Sequence, residues 1–198
     1  MKENDIREAL AMAEICTVNP TVEPVSIEEV KMHLKLDGDE EDAYLARLIE
    51  AARRVSERNT GRAYINQTWQ YTFQLRDFSR TIKLPKQPYK AITTLEYYDT
   101  ETYAWVAMTS SQYKVIGFGD QGELMLLEYP GSIFRVTYQA GYGAGASYVP
   151  ADLRAAILRR VATMYENRQD VVVGTVFAKM DKDQAADSFE APYKVAVM

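Results

Sequence analysis

The glycine-rich segment AGYGAGAS is the first candidate for chemistry in this chain of 198 residues. Gly141, Gly143 and Gly145 lie between a predicted strand and a predicted helix, where a loop can present backbone N–H groups to a phosphate. The segment lacks the Lys-Ser/Thr pair of a P-loop, residues 147–149 separate it from the helix, and no parallel strand follows. We therefore interpret it as a flexible connection or an assembly loop, with a nucleotide site as the alternative.

The acidic run that contains Asp37, Asp39, Glu41 and Asp42 superficially resembles a calcium loop. It has no glycine at the sixth position of such a loop, and no distal glutamate that could bind the ion through both oxygens. The run leads directly into a predicted helix, whose positive N-terminal end favours carboxylates. We expect these carboxylates to stabilise the helix rather than to bind a metal.

The single histidine and the single cysteine offer little for catalysis. His33 has no Ser, Cys or Asp in a recognisable motif and lies off the apolar stripe of its helix, which favours a surface or interface position. Cys16 has no CxxC partner and is expected to be a small packing residue. The chain thus lacks the ligands of a zinc site and can form no intrachain disulfide. We predict no catalytic residue, no metal and no cofactor.

Tyrosines and arginines are the remaining candidates for binding. Nine of the 14 tyrosines lie between Tyr89 and Tyr148. They could form a platform for sugars or bases, a protein interface or, most simply, part of a packed sheet. Two predicted helices carry several arginines, for which solvated faces or ion pairs between subunits are simpler interpretations than a path for nucleic acid. Among them are Arg53, Arg54, Arg58, Arg154, Arg159, Arg160 and Arg168.

Composition indicates an ordinary globular chain, with 47% apolar residues, 26% charged residues and a net charge of −5. The negative balance argues against a protein whose affinity depends on neutralising many phosphates. No run approaches the roughly 18 apolar residues of a membrane span, and the N-terminus has mixed charge, unlike a signal peptide. We expect a soluble protein that is not exported, made in a reducing cytoplasm.

The elements that position these residues begin with helices over 26–60. Ser26 and Glu29 have the spacing of a capping box, and Val25 and Val30 occupy the positions of a hydrophobic staple. A longer helix follows after the acidic run. Its predicted buried stripe consists of Leu45, Leu48, Ile49, Ala52 and Val55.

From Trp69 onward the hydrophobic period changes from about 3.6 to 2, which predicts a β region over 68–140. Further short strands are predicted at 81–84, 92–98, 103–107, 112–116, 123–127 and 133–139. A helix over 151–168 follows Pro150. Its buried stripe is Leu153, Ile157, Val161 and Met164. The prediction is an α+β fold: two N-terminal helices and a long C-terminal helix form a bundle, with an inserted antiparallel meander or small sandwich.

Both ends of the chain are predicted to lie outside this core of 25–169. Residues 1–24 form an arm, with a short amphipathic helix from Asn4 to about Cys16 and then a stiff linker with two prolines. Residues 170–198 form a C-terminal tail. Apolar side chains at both ends are expected to be buried against another chain. They are Ile6, Leu10, Phe177, Phe189 and Tyr193.

Four segments of the chain follow one another in a recognisable order and spacing. They are PVSIEEVKMHLKLDGDEEDAYLARLIEAARRVSERNTGRAYINQTW, IKLPKQPYKAITTLEYYD, VTYQAGYG and VPADLRAAILRRVATMYENRQDVV. None is diagnostic alone, because each is a helix start, a strand pair or a turn. Together, from about Val25 to Tyr193, they resemble the head-tail connector (adaptor) family of tailed phages. The arm departs from the family pattern, and we expect it to lie on a neighbouring subunit or partner.

The resemblance implies a non-enzymatic virion protein at the capsid-tail junction, made in the host cytoplasm and independent of membranes. Such a subunit forms a homo-oligomeric ring, twelvefold in the particle, that docks beneath the portal protein. The ring extends the channel for double-stranded DNA and provides the platform for the next neck or tail protein. Helices are expected to form the ring body. The residues expected on a ring or channel surface are Arg53, Arg54, Arg159 and Arg160.

Three other functions are compatible with the sequence. The chain could be a different neck or tail-completion protein built on similar helices and sheet. It could be a nucleotide-binding enzyme that uses the loop from Gly141 to Gly145, or a carbohydrate-binding β module on the virion. Assembly with a portal, stabilisation by a nucleotide and glycan binding by a monomer would distinguish them.

Overall fold

The computed structural model of the chain describes residues 13–75, 80–117, 121–167 and 184–195. In chain order the elements are β1 (Glu14–Val18), α1 (Ile27–Leu34), α2 (Asp42–Thr60), β2 (Gln67–Gln74), β3 (Thr81–Lys83), β4 (Tyr89–Asp99), β5 (Ala104–Ala107), β6 (Tyr113–Ile116), β7 (Glu123–Leu126), β8 (Ile133–Ala140), α3 (Ala151–Glu166) and α4 (Gln184–Glu190). Short 3-10 turns lie at Ala146–Tyr148 and Ala191–Tyr193. The predicted α+β class is confirmed.

The described residues divide into two compact units. The β unit consists of residues up to Pro20 together with Asn66–Gly141. The helical unit consists of Thr21–Ile65 together with the described residues from Tyr142 onward. The predicted arm is therefore divided between the units, and the described part of the predicted tail belongs to the helical unit.

The β unit contains two antiparallel sheets. The larger has the strand order β1-β2-β8-β4-β5, and the smaller has the order β3-β7-β6. Antiparallel pairing agrees with the prediction, but β8 is inserted between β2 and β4, so the larger sheet is not a meander. Alternation along a strand shows which side chains share a face of the sheet, but it does not show which strand lies beside it. The order of the strands could therefore not be predicted from the sequence pattern.

The two faces of the larger sheet differ in polarity, as the period of 2 predicts. On one face Trp69 lies opposite Tyr138 and Phe73 lies opposite Phe134 across the β2-β8 pair. The rings of Phe73 and Phe134 stack with centroids 5.6 Å apart, and both residues are buried. The opposite face carries polar pairs such as Gln70 with Thr137. Burial of Phe73, Phe134 and Tyr138 on this face removes apolar area from water and stabilises the unit.

The predicted arm helix is wrong over its described part, because Glu14–Val18 forms the edge strand β1. Its partner is β2 of the same chain, with Cys16 opposite Trp69. Ile15, Thr17 and Val18 are β-branched, and such residues favour a sheet edge over a marginal helix. This segment therefore lies on its own chain rather than on a neighbour. Residues 4–12 of the predicted helix lie outside the described residues.

The helical unit begins at the predicted capping box. Ser26 Oγ accepts a hydrogen bond from Glu29 N at 3.2 Å, and Glu29 Oε2 accepts one from Ser26 N at 2.9 Å. Val25 and Val30, the predicted staple, are both buried in the same core cluster. The sequence signature therefore predicted the start of α1 to the residue.

The core of the helical unit is made by the predicted stripes of α2 and α3. Its buried members on these helices are Leu45, Ile49, Ala52, Leu153, Ile157 and Val161. Leu48 and Met164 pack against the same cluster with partial exposure. Buried residues outside the helices complete it: Val25, Tyr64, Ile65 and Val149. Val55, also predicted in the stripe of α2, is half-buried and lies outside this cluster, so the helical periodicity identified most of the core but not every member.

The C-terminal segment contains a helix that the sequence did not predict. Helix α4 covers Gln184–Glu190 and ends before Pro192, which lies in the following 3-10 turn. Ala186 and Glu190 are buried, and Val195 N donates a hydrogen bond to Thr60 O at 2.8 Å. The segment is thus attached to the end of α2 by its own backbone as well as by side chains.

Candidate functional site

The glycine-rich loop is explained by packing. Gly143 forms a parallel bridge with Ile65, and a Cβ atom at position 143 would collide with the ring of Tyr148. Gly141 has φ 139°, and its N–H already donates to Pro88 O at 2.9 Å. Gly145 has open space around it. Local backbone conformation or packing therefore requires glycine at positions 141 and 143. The N–H of Gly141 is occupied by a hydrogen bond within the chain.

The acidic run is organised around a lysine. Lys31 Nζ lies 2.7 Å from Asp39 Oδ1 and 2.6 Å from Asp42 Oδ1. These hydrogen bonds, first that of Asp39, raise the pKa of Lys31 to about 12. Glu41 accepts a hydrogen bond from the hydroxyl of Tyr165. The carboxylates thus join α1, α2 and α3.

His33 is exposed at the end of α1, in agreement with the predicted surface position. Cys16 is partly buried in β1, with its Sγ 3.7 Å from Gln67 Oε1. Within the four described ranges, no three His, Cys, Asp or Glu residues are grouped so that they could hold a metal ion. No helix in those ranges has both the length and the apolar character needed to cross a membrane.

The most elaborate polar cluster of the helical unit surrounds Arg160 of α3. Its Nη2 lies 2.7 Å from Asp187 Oδ1 and 2.9 Å from Glu190 Oε2, both on α4. Its Nε donates to Glu190 Oε1 and to Ser56 Oγ of α2, each at 3.1 Å. Burial alone lowers the pKa of Arg160, but the hydrogen bonds and charges of Glu190 and Asp187 outweigh it and raise the pKa. This guanidinium therefore joins three helices.

A second buried cluster surrounds Arg53 of α2. Its Nε lies 2.7 Å from Glu23 Oε2, and its Nη1 lies 2.9 Å from Glu57 Oε2. The other oxygen of Glu57 accepts a hydrogen bond from Tyr64 N at 2.8 Å. Burial lowers the pKa of Arg53, and the two carboxylates more than compensate, so the pKa is raised. The cluster therefore connects α2 to the segment before α1, through Glu23, and to the segment after α2, through Tyr64.

These clusters correct part of the predicted ring or channel surface. Arg53 and Arg160 are buried, with 4% and 6% exposure, and both are paired within the chain. Neither can supply positive charge at a surface of this unit. Arg54 and Arg159 are exposed on α2 and α3. The helical period placed all four arginines on helices. It could not reveal the burial of Arg53 and Arg160, which depends on carboxylates from other segments of the chain.

The predicted partner residues at the C-terminus pack within their own chain. Tyr193 lies against the helical core, and its carbonyl oxygen accepts a hydrogen bond from Arg62 Nε at 2.6 Å. Its hydroxyl lies 3.3 Å from Asp152 Oδ2. Phe189 is half-buried, with the guanidinium of Arg159 5.8 Å from its ring centroid. The assumption that these side chains need another chain for burial is therefore wrong.

The other predicted partner residues, Ile6, Leu10 and Phe177, lie outside the described residues. Sequence reasoning also missed the acidic partners of Arg160. The signal that could have revealed them is the pair Asp187 and Glu190, whose spacing puts both carboxylates on one face of a short helix. The helix is only seven residues long, which is shorter than the window in which hydrophobic periodicity indicates a helix.

Comparison with known proteins gives consistent results. The family model described as "Head completion protein" matches residues 23–178. None of the curated proteins matches the chain. Among solved structures, a chain from "Neck of empty GTA particle computed with C6 symmetry" is 22% identical, with a TM-score of 0.73, and the match covers 94% of this chain and 97% of that chain.

Two further structures of the gene transfer agent (GTA) particle have the same fold. A chain of "Virion of native gene transfer agent (GTA) particle" is 21% identical with a TM-score of 0.74, and the match covers 94% of this chain and 98% of that chain. A chain of "Neck of native GTA particle computed with C12 symmetry" is 22% identical with a TM-score of 0.68, over 94% and 97%. At these identities the likeness establishes the fold.

Proposed function

The chain belongs to the head completion protein family, and from that membership we propose that it is a structural subunit of the neck of a tailed-phage-like particle. In this proposal twelve copies form a ring that docks beneath the portal protein. The ring extends the DNA channel and provides the platform for the next neck or tail protein. The observation that carries the proposal is the family match over residues 23–178, which extends across both compact units.

The fold likeness supports the ring. Two of the similar chains come from neck structures with C6 and C12 symmetry, and the shared fold covers 94% of this chain. Cyclic rings need two different surfaces on each subunit, because each copy contacts its neighbours head to tail. The proposed role is non-enzymatic, because the matching family is described as a head completion protein and the similar solved chains come from the neck or virion of a particle.

Negative-stain microscopy of the purified chain with the portal of the same particle tests this proposal. We expect rings, alone or joined to the portal complex. A chain that stays monomeric and ignores the portal at high concentration would contradict it. Rings that join only a tail component would favour the alternative of another tail-completion protein. Thermal stabilisation by a nucleotide would support the enzyme alternative, because a ligand of the native state raises stability by mass action.

The C-terminal segment is our proposed contact with the portal. Its aromatic residues Phe189 and Tyr193 are partly exposed at the surface of the helical unit. Ile6, Leu10 and Phe177 stay in this proposal as further partner contacts, on sequence grounds alone. Aromatic side chains commonly contribute most of the binding energy of protein interfaces. Phe189 and Tyr193 are therefore the residues to test first.

The double variant Phe189→Ala and Tyr193→Ala is expected to weaken portal binding about tenfold, as loss of interface anchors does. Co-sedimentation with the portal at several concentrations measures the change. Tyr148→Ala is the matched control, because Tyr148 is 64% exposed elsewhere in the helical unit. Both aromatic side chains also pack in their own chain. Hydrogen exchange of residues 184–195 must therefore show that the segment of the double variant stays attached to the helical unit. Unchanged binding by the double variant would remove the segment from the proposal.

A further inference from the structure

We propose that the exposed face of α2 formed by Arg47, Arg54 and Arg58 is the surface that contacts the phosphate backbone of double-stranded DNA in the assembled neck. The inference rests on the proposed function and deepens it, because it identifies the part of the subunit that lines the channel. We call these three residues the basic stripe.

The basic stripe follows from helix geometry. At 100° per residue, positions 47, 54 and 58 fall within about 40° of arc, and they span about 17 Å along the axis. All three side chains are exposed, whereas Leu45, Ile49 and Ala52 of the same helix are buried in the core. Because the other side of α2 is occupied by that core, the stripe faces outward from the helical unit.

The charge of the stripe is largely uncompensated within the described part of the chain. Its acidic neighbour on the same face is Glu50, whose Oε1 lies 3.7 Å from Arg54 Nη1. The side chains of Arg54 and Glu50 are 66% and 53% exposed, so the pair is weak and screened by salt. No ion pair of Arg47 or Arg58 occurs among the described residues. Three cations and one anion give the face a net charge of +2.

The outer face of α3 is a poorer candidate. Its exposed charged residues are Asp152, Arg159 and Glu166, which give one positive charge against two negative ones. Arg159 also lies over the ring of Phe189, so its guanidinium is partly covered by α4. Of the two arginines that were predicted on a surface and are exposed, Arg54 therefore belongs to a basic face and Arg159 does not.

Phosphate is the partner that fits this chemistry. Guanidinium groups bind phosphate oxygens through paired hydrogen bonds, and they keep their charge at any physiological pH. Double-stranded DNA carries one negative charge per about 1.7 Å of its axis, so a stripe of about 17 Å can reach three separate phosphates. Exposed Asp37 and Glu40 precede α2 and repel phosphates. The contact is therefore expected along the middle and C-terminal turns of the helix, without base recognition.

Fluorescence anisotropy of the full chain with a labelled 30-base-pair duplex, over a series of salt concentrations, tests the inference. Three phosphate contacts predict that log K falls with log salt with a slope of about 2.7, or roughly forty-fold between 50 and 200 mM. The triple variant Arg47→Gln, Arg54→Gln and Arg58→Gln should lose most of this binding and most of the slope.

The matched control removes three positive charges from exposed residues of the β unit, as Lys83→Gln, Lys90→Gln and Lys114→Gln. It should change the affinity less than about twofold, because nonspecific binding follows local phosphate contacts rather than net charge. Equal losses in both variants, or no measurable binding by the native chain at low salt, would overturn the inference.

Ring assembly separates this inference from the proposed function. The basic-stripe variant should still form rings and join the portal in the microscope, because its substitutions leave the buried clusters intact. If the variant assembles normally and binds DNA like the native chain, only the inference about the stripe fails. If it binds DNA normally but no longer forms rings, the stripe contacts a second copy and the DNA assignment is wrong.

Discussion

Replacing Arg160 by Met is expected to lower the free energy of unfolding of the helical unit by about 3–5 kcal/mol, the cost of breaking a buried ion pair from one side. Glu190 is fully buried, and both of its oxygens accept hydrogen bonds from Arg160. Without the guanidinium this carboxylate stays buried without its counter-ion, or α4 must leave its site. Either response is visible, as a lower midpoint in denaturant or as faster hydrogen exchange in residues 184–195.

Arg159→Met is the control for this prediction. It alters the neighbouring arginine on the same helix, but Arg159 is exposed, so a change within about 1 kcal/mol is expected. Neutralising the acidic partners as well, with Asp187→Asn and Glu190→Gln in the Arg160→Met background, should restore part of the stability. Equal effects of Arg160→Met and Arg159→Met would show that the cluster does not hold α4.

Phe134→Ala is expected to destabilise the β unit by about 3–5 kcal/mol, the usual cost of removing a buried phenylalanine ring. Phe134 is fully buried, and its ring stacks on that of Phe73 across the β2-β8 pair. The substitution leaves a cavity on the buried face of the larger sheet, over the β2-β8 pair, and it also removes the ring-ring contact. Urea denaturation followed by tryptophan fluorescence measures the loss.

The fluorescence signal is specific for this prediction, because Trp69 and Trp105 are the two tryptophans and both belong to the β unit. Phe134→Leu retains most of the apolar volume and should cost less than about 1.5 kcal/mol. Tyr103→Ala, at a residue that is 73% exposed, should change stability by about 0.5 kcal/mol or less. If Phe134→Ala had no larger effect than Tyr103→Ala, the stacked pair would not be part of the core.

Much of the fold could be predicted from local patterns. The capping box at Ser26 and Glu29 predicted the start of α1, and the stripes of α2 and α3 predicted the helical core. Alternation from Trp69 predicted strand β2, and Phe73 on its apolar face is buried. Each of these signals depends on residues within about four positions of one another, where the geometry of helices and strands is repetitive.

The candidate site was less predictable. The sequence placed Arg53 and Arg160 on helices correctly, but it could not show that both are buried. Arg53 pairs with Glu23, 30 residues away, and Arg160 pairs with Glu190, also 30 residues away. Of the three residues in the basic stripe, the sequence pattern had placed only Arg54 on a ring or channel surface, and the exposure of Arg47 and Arg58 beside it became visible only in the fold.

The amino-acid sequence by itself determined the α+β class, the stripes that become the helical core, and the lack of a cysteine pair or histidine cluster for metal chemistry. The tertiary structure alone decided that β8 separates β2 from β4, that residues 14–18 join the sheet as a strand, and that α4 attaches through Arg160. The physical reason is the distance along the sequence between the residues that interact. Hydrophobic periodicity is a property of neighbouring residues, whereas strand order and the burial of a charge depend on partners that only folding brings together.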